Sequence, residues 1–525
     1  MNKSPDAQRM EKIVSLCKRR GFIFQSSEIY GGLNGAWDYG PLGVELKRNL
    51  KNYWWRVMVH ERDDVVGMDG SILMNRAVWK ASGHEDTFSD LMRECTYTHK
   101  RVRVDQAVPQ SGVEFSFSGV ESPRDGTKAE FPIPLVILCR KGEHPDSVRR
   151  IARECFATVA YHKLTPDQVK TLTLLGERSR PVENSTDYHP ETGGLLSDAR
   201  PFNLMFKTYV GATEDESSLT YLRPETAQAI FVQFKNVLEV SRKKLPFGIA
   251  QIGKAFRNEI NPRNFTFRSR EFEQMELEYF CRPEEGMELL EYWKEERLKF
   301  YENIGISRDR LHVKAVPDEE RAFYSKGTYD IEYDFPFGRQ ELEGVAYRTD
   351  YDLSQHQKAS GKSLEYFDEE TKQRFVPHVV EPSAGVDRTV LALICGAYSE
   401  DEAPDEKGKM ETRIVLRFHP RMAPIKCAVF PLLKNKEPLV TKAQEIVNFL
   451  RPHMSIFYDE SGAIGRRYRR QDEIGTPFGV TVDFETLGEK DAALRDTVTL
   501  RERDSMKQER VSVTDLPGIL VSRIS

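Results

Sequence analysis

The sequence predicts an α+β protein: an antiparallel-sheet domain carrying helices, followed by a smaller C-terminal α/β domain. Three observations lead there. Residues 247–280 alternate apolar and polar side chains on either side of the turn-forming NPRN, the pattern of an antiparallel hairpin. Residues 201–400 alternate strand-like runs with a few helical ones. From about residue 421 short strands and helices interleave, as IKCAVFPLL, TKAQEIVNFLRPH, SIFYDE and FGVTVDF, which suggests a mostly parallel sheet.

Taken in order, residues 1–105 open with a helical repeat, Met10, Ile13, Val14 and Cys17, then the glycine-rich YGGLNGAWDYGPLG and an amphipathic stretch through KNYWWRVMV. This is expected to be the N-terminal part of the main domain. Residues 106–200 change character. VPQSGVEFSFSGVESPRDGTKAEFPIP is rich in turn residues and SVRRIARECFATVAYHKL reads as a basic helix, so an inserted subdomain is expected before strand signals resume at FNLMFKTYV. Residues 201–412 form the rest of the main domain, with the acidic run SEDEAPDEKGK at 399–409 read as a loop or linker. Residues 413–525 form the last domain.

The 525 residues are 39% hydrophobic and 30% charged, an ordinary composition for a globular protein. No apolar run approaches the roughly 18 residues of a membrane span, and MNKSPDAQRMEK lacks the apolar centre of a signal peptide. A cytoplasmic protein without a membrane partner is therefore expected. The seven cysteines are scattered, with no C-x-x-C pair, which argues for reduced thiols and against a disulfide framework. With a formal net charge of −5, any nucleic-acid binding must come from local patches.

The densest such patch is RNEINPRNFTFRSREFEQMELEYF, residues 257–280. Taking 247–260 as a strand puts Ile252, Phe256 and Ile260 on one face and Gln251, Gly253, Arg257 and Glu259 on the other. After a reversal at 261–266, Phe272, Gln274 and Glu276 share a face, as do Met275, Leu277 and Tyr279. Arg257, Glu259, Phe272, Gln274 and Glu276 would then form one polar surface. It suits a nucleotide: guanidinium for phosphate, carboxylate for an exocyclic amine, an aromatic ring for a base. The plainer alternative, a solvated helix, fails because the apolar residues of 272–280 form no stripe at helical spacing.

FRNEINPRNFTFRSREFEQME resembles motif 2 of the class II aminoacyl-tRNA synthetases, and EPSAGVDRTVLALI, 381–394, resembles their motif 3. WDYGPLGVELK, WKASGH, RPETAQ, QELEG, GRRYRRQDEIGTPFGVTVDF and TVTLRERDSM are similar to strings of the dimeric, eukaryote-like glycyl-tRNA synthetases, in order and over nearly the whole chain except 106–200. The resemblance implies a class II catalytic domain and an anticodon-binding domain in a cytoplasmic homodimer. Its activity would be ATP- and Mg2+-dependent activation of glycine, followed by transfer to tRNA(Gly). Such a reaction needs no protein nucleophile, since the amino-acid carboxylate attacks the α-phosphate of ATP; positioning and charge stabilisation do the rest.

By that resemblance Arg257 and Arg388 are the catalytic cations. Arg257 would meet the α-phosphate, Glu259 the adenine amine, Arg268 and Arg270 the distal phosphates, Phe272 one adenine face, and Arg388 the γ-phosphate or the other face. Asn258, Phe267, Ser269, Glu271, Leu342, Gly385, Val386 and Asp387 complete the ATP site, and Glu341 would hold Mg2+ with the phosphates. On the residues alone, Arg388 has the plainer alternative of an ion pair with Asp387 or Glu381. Glycine offers only an ammonium and a carboxylate, so the implied pocket is carboxylate-rich. Its members would be Arg103, Glu225, Phe272, Glu273, Gln274, Met275, Glu276, Glu381, Pro382, Ser383, Ala384 and Gly385. Glu225 also reads as a residue at a helix start capped by Thr226.

Residues 421–525 carry 17 Lys and Arg against 15 Asp and Glu. Within them Arg466, Arg467, Tyr468, Arg469 and Arg470 combine cations with a ring, and the resemblance implies that they contact the tRNA anticodon. The sequence departs from the family pattern in two places: Ala229 stands where RPETAQG has glycine, adding a methyl beside the pocket, and the motif 1 proline is absent near ILMNRAVW, where Asn75 stands. STDYHPETGGLLSDAR carries no cysteine, and no zinc is expected. Two other readings stay open on the sequence: a nucleic-acid-binding accessory protein on the same scaffold, and a synthetase for another amino acid.

Overall fold

The computed structural model describes residues 5–122, 124–160, 164–322, 324–404, 409–489 and 491–525. They divide into two compact units, 83–204 and the remainder.

The larger unit includes α1 (Pro5–Arg20), α2 (Pro41–Trp55) and β1 (Val65–Gly67), and after it resumes at Met205 it includes α3 (Ala227–Ser241). The hairpin strands β2 (Phe247–Phe256) and β3 (Glu271–Cys281) follow, then α4 (Gly286–Asn303), β4 (Leu311–Ala315), β5 (Gly327–Phe335) and β6 (Gly338–Thr349). Next come α5 (Tyr351–Ser360), β7 (His378–Gly385) and α6 (Val386–Ala397). The strands form a seven-stranded sheet in the order β4-β5-β6-β7-β3-β2-β1, antiparallel except for the β1–β2 pair.

Side-chain alternation gives this sheet two distinct faces. Met275, Leu277, Tyr279, Val345 and Ala384 point to the side covered by α2, α4 and α6, where Leu46, Leu50, Trp54, Trp293 and Val390 complete an apolar core. On the other side α3 covers only one end, packing Ile230, Phe231 and Phe234 onto Phe247, Ile249, Phe280 and Val379. The rest of that face carries polar residues in register: Gln251 opposite Glu276, Glu276 opposite Ser383, and Ser383 opposite Gly344.

The hairpin strand expected over 247–260 ends at Phe256. The backbone N–H of Glu259 donates to Arg257 O at 2.7 Å, a tight turn that leaves the ladder, and Asn264 and Phe265 adopt φ of 59°. The connection is thus a structured loop over 257–270 rather than a short reversal at 261–266.

The acidic run at 399–409 is also not simply a loop. Tyr398–Pro404, β8, pairs antiparallel with Met410–Leu416, β9, while 405–408 lie outside the described residues. Its alternation explains this: Ala403 is buried, and Asp401 is neutralised by Arg413.

The C-terminal part contains β10 (Cys427–Pro431), α7 (Glu437–Leu450), β11 (Ile456–Tyr458), α8 (Ile464–Ile474), β12 (Phe478–Val482), β13 (Thr497–Glu502), β14 (Gln508–Ser512) and α9 (Leu516–Ile524). Its sheet, β11-β10-β12-β13-β14, is mixed rather than mostly parallel: β10 runs parallel to β11 and β12, and β13 is antiparallel to both neighbours. Helices α7 and α8 supply the crossovers that parallel neighbours need; between β12 and β13 only a 3-10 turn intervenes, so the chain turns back antiparallel.

In the 83–204 unit a four-stranded sheet of Gln110–Glu121, Lys128–Arg140, Thr173–Leu175 and Arg178–Ser185 packs Phe115, Phe117 and Ile137 against Val148, Ala152 and Phe156 of the helix Pro145–Ala160. The end of the basic helix read from SVRRIARECFATVAYHKL, residues 161–163, lies outside the described residues. Ser89–Glu94, Arg101–Arg103 and Arg200–Asn203 form a second, smaller sheet of this unit.

Candidate active site

One cavity on the polar face is lined by Arg257, Glu259, Arg268, Phe272, Glu341 and Arg388, among others. The hairpin register puts Phe272 on the same face as Gln274 and Glu276, and the Arg257 guanidinium lies over the Phe272 ring, 5.4 Å from its centre. Arg257 is held by donation from Nε to Pro224 O at 3.0 Å. Arg388, in the first turn of α6, stacks over Phe267 at 4.5 Å and donates to the carbonyls of Phe267 and Glu341, both at 3.3 Å. Its charged neighbour is the Glu341 carboxylate at 3.5 Å, rather than Asp387 or Glu381. Arg268 lies 3.8 Å from Glu259.

Several expected contributors turn elsewhere. Glu271, Glu273 and Met275 alternate to the reverse face: Glu271 pairs with Lys254, Glu273 borders the cavity but pairs its carboxylate with Lys47 and Lys51, and Met275 is fully buried in the core. Pro382 and Ala384, opposite Val345 and Met275, point the same way, and Val386 enters the core. Asp387 lines the cavity, yet its carboxylate accepts from Lys47, from the Tyr39 hydroxyl and from Glu273 N, fixing α2 and α6 to β3. Arg270 spends two donors on the carbonyls of Glu259 and Asn34 and so braces the loop. Ser269 lines the cavity, its Oγ donating to Thr266 O. Leu342 and Gly385 line the cavity, and Asn258 follows Arg257 in the half-buried loop. Arg103 belongs to the 83–204 unit, where it pairs with Asp105 and Asp90.

Deeper along the same face the charge changes sign. Glu276 accepts from Gln274 Nε2 and Ser383 Oγ at 2.7 Å each, from Thr226 N at 3.1 Å and from the Thr226 hydroxyl. Thr226, at the start of α3, therefore serves Glu276 instead of capping its own helix. Glu225 precedes it and accepts from Gln228 Nε2 at 2.9 Å. Arg348 pairs bidentately with Asp352, through Nε and Nη2 at 2.8 and 2.9 Å, and points Nη1 between both oxygens of Glu381 at 3.0 and 2.9 Å. By strand alternation it shares the face of Gly344 and Ala346, and it sits at the register irregularity between Tyr347 and Thr349. Arg348, Asp352, Glu276 and Glu278 are all buried, and neither carboxyl oxygen of Glu278 has a hydrogen-bond partner among the described residues.

Carboxylates thus outnumber cations in a buried space. Burial, then the charge of Glu225, raises the Glu276 carboxyl above its usual range; burial, then Glu381, raises Glu278 much further. Burial pushes Glu381 up to about 7, with Glu276 and Glu225 adding to it and Arg348 opposing. Such a site lacks positive charge and would welcome an ammonium. Arg348, Asp352 and Glu278 were absent from the expected set. Glu278 is signalled by its parity with Phe272, Gln274 and Glu276; Arg348 shares the parity of Gly344, but which face that parity takes is set by the pairing of β6 with β7 and has no local signature.

Ala229 is buried, and a Cβ added at Gly70 would lie 2.6 Å from its methyl, so the extra carbon packs against that backbone. Asn75 caps the short helix Arg76–Ala81, accepting from Ala77 N.

The anticodon expectation needs correction. Arg467 is buried, donating to Pro431 O and Gly462 O, and the Tyr468 ring packs against Phe430 under Arg501, its hydroxyl 2.6 Å from Thr481 Oγ1. The cause is helical spacing: α8 must bury one face against the sheet, and these residues lie on it. Arg470 pairs with Asp459, Arg469 lies near Arg413 and Asp472, and Arg466 is exposed.

Residues 207–396 match the family model for the tRNA synthetase class II core domain (G, H, P, S and T), and residues 426–523 match that for the anticodon binding domain. The chain is 47% identical to a glycine--tRNA ligase of Rhodopirellula baltica, covering 98% of this chain and 99% of that one. It is 47% identical to the glycine--tRNA ligase of Thermobifida fusca and 48% to that of Thermus thermophilus, each over 99% of both chains.

Proposed function

The chain belongs to the family of glycine--tRNA ligases, ATP-dependent enzymes with a class II core, and on that premise we propose how its cavity activates glycine. ATP lies across the open part of the sheet with adenine between Phe272 and Arg388, its amine toward Glu259 and its α-phosphate at Arg257. Arg268 neutralises the distal phosphates. Glycine sits one step deeper, its ammonium among Glu225, Glu276, Glu381 and Ser383 and its carboxylate facing Arg257. Attack on the α-phosphate then forms the adenylate and releases pyrophosphate; the adenylate passes glycine to the 3′ end of tRNA(Gly). Arg257 stabilises the charge that grows on the phosphorus-bound oxygens.

The observation that carries this reading is the junction of two charge environments on one sheet face, guanidinium groups above a buried carboxylate cluster, spaced by single strand steps. Mg2+ fits the outer end: Glu341 is a half-exposed carboxylate, and this ion takes one or two carboxylates together with phosphates and water. When bound it would neutralise phosphate charge. Gly344 leaves room for the substrate, because it shares the face of Ser383 and the space above its Cα is open.

The finer proposals are a homodimer of the eukaryote-like type, supported by the motif strings in the sequence, cytoplasmic residence, an approach of Arg103 to the substrate, and contact of Arg466 with tRNA. Glycine-dependent exchange of labelled pyrophosphate into ATP tests the central claim. Exchange with glycine and not with alanine, serine or proline is expected. Arg257→Ala should lower it at least about 10²-fold; exchange that persists unchanged in that variant would refute the assigned role.

A further inference from the structure

The C-terminal end of α8 is tied to the catalytic core rather than to its own sheet alone. Asp472, almost wholly buried, accepts from Arg501 of β13 at 2.9 and 3.0 Å and from Arg413 of β9 at 3.1 Å. Arg413 in turn grips Asp401 of β8 through Nε at 2.7 Å and Nη2 at 2.5 Å. The next residue, Glu473, pairs with Arg19 at 2.5 Å and with Arg20, both in the last turn of α1. Helix α1 is itself fixed to the end of α6, Arg9 donating to Tyr398 O at 2.7 Å and to Cys395 O at 3.2 Å.

These contacts converge on one element. Helix α6 begins with Arg388 in the nucleotide cavity and runs without a break into β8, which carries Asp401. Buried ion pairs contribute little net stability, since desolvation offsets attraction, yet they tolerate only a narrow geometry. A network of this kind at a domain junction is therefore better suited to setting orientation than to holding the fold together.

We infer that α8 is the joint through which tRNA engagement by residues 426–523 is communicated to α6, with Asp472 and Glu473 as positioning residues for tRNA charging and not for adenylate formation. The inference rests on the ligase reading. Coupling of this sort runs through contiguous packed groups and is modulated a few-fold to a few tens-fold by single changes along them.

Two assays on the full-length enzyme separate the alternatives. Glu473→Lys, whose partners are partly exposed, should lower kcat/KM for tRNA charging about tenfold while glycine-dependent pyrophosphate exchange, which needs no tRNA, stays within about twofold. Adding Arg19→Glu and Arg20→Glu should restore most of the charging. Asp472→Asn should show the same split wherever it folds. Equal losses in both assays, an unchanged charging rate, or a charge swap that restores nothing would overturn the inference. Absence of exchange in the unaltered enzyme would instead refute the ligase reading itself.

Discussion

Replacing Arg348 by methionine tests the electrostatics of the pocket most directly. The side chain is buried, and its pairs with Asp352 and Glu381 lie at 2.8 to 3.0 Å. Removing one partner of a buried pair costs about 3–5 kcal/mol, because the other charge is left uncompensated. Both pairs share one cation, so their losses do not add in full, and about 5 kcal/mol is expected in total. That is a large part of the roughly 5–15 kcal/mol by which folded domains are stable. The sign with pH follows from Glu381. Arg348 opposes the rise of its carboxyl, so without it the folded-state value climbs further above the ordinary one of about 4.3. A carboxyl raised in the folded state leaves stability intact below its ordinary value and removes it as pH climbs toward the folded one. The deficit should be largest at pH 8 and shrink toward pH 5. Urea denaturation followed by tryptophan fluorescence at both pH values measures it. A loss under about 1 kcal/mol, or a loss that grows on acidification, would refute the reasoning.

Other consequences follow from the same geometry. Because Glu381 titrates at about 7, kcat/KM for glycine should fall as pH drops below 7 and an ammonium-attracting charge is lost; Glu381→Gln should flatten that limb. Gly344→Ala meets no atom within 4 Å, so the fold should survive with an unchanged melting temperature while the KM for glycine rises at least about tenfold. A melting temperature lowered in step with activity would show that the glycine is needed for packing instead. Arg388→Ala removes the cation beside Glu341 and should reduce pyrophosphate exchange about 10²–10³-fold, with little change in stability because the side chain is partly exposed.

Much of the nucleotide half of the site is legible in the chain. Strand alternation alone puts Phe272, Gln274 and Glu276 together, and Arg257 and Arg388 meet the same cavity. The same alternation turns the side chains of Glu273 and Met275 to the reverse face, so neighbours in one contiguous motif divide between site and core. The C-terminal arginine run shows the opposite limit. GRRYRRQDE looks like a cationic surface, but a helix against a sheet must bury one side, and Arg467 and Tyr468 lie on it. A linear charge pattern carries no information on which face that will be.

The sequence by itself determined the family, the hairpin of 247–280 and the kinds of group at the nucleotide, because these depend on local periodicity and on contiguous motifs. Tertiary structure alone decided that Arg348 would pair with carboxylates from α5 and β7, and that Glu278 would be sealed among them. It likewise joined Asp472 to arginines 59 and 29 residues away along the chain. The physical reason is that a charge's environment is set by what is brought around it and by how much water is removed, and neither quantity is local in the chain.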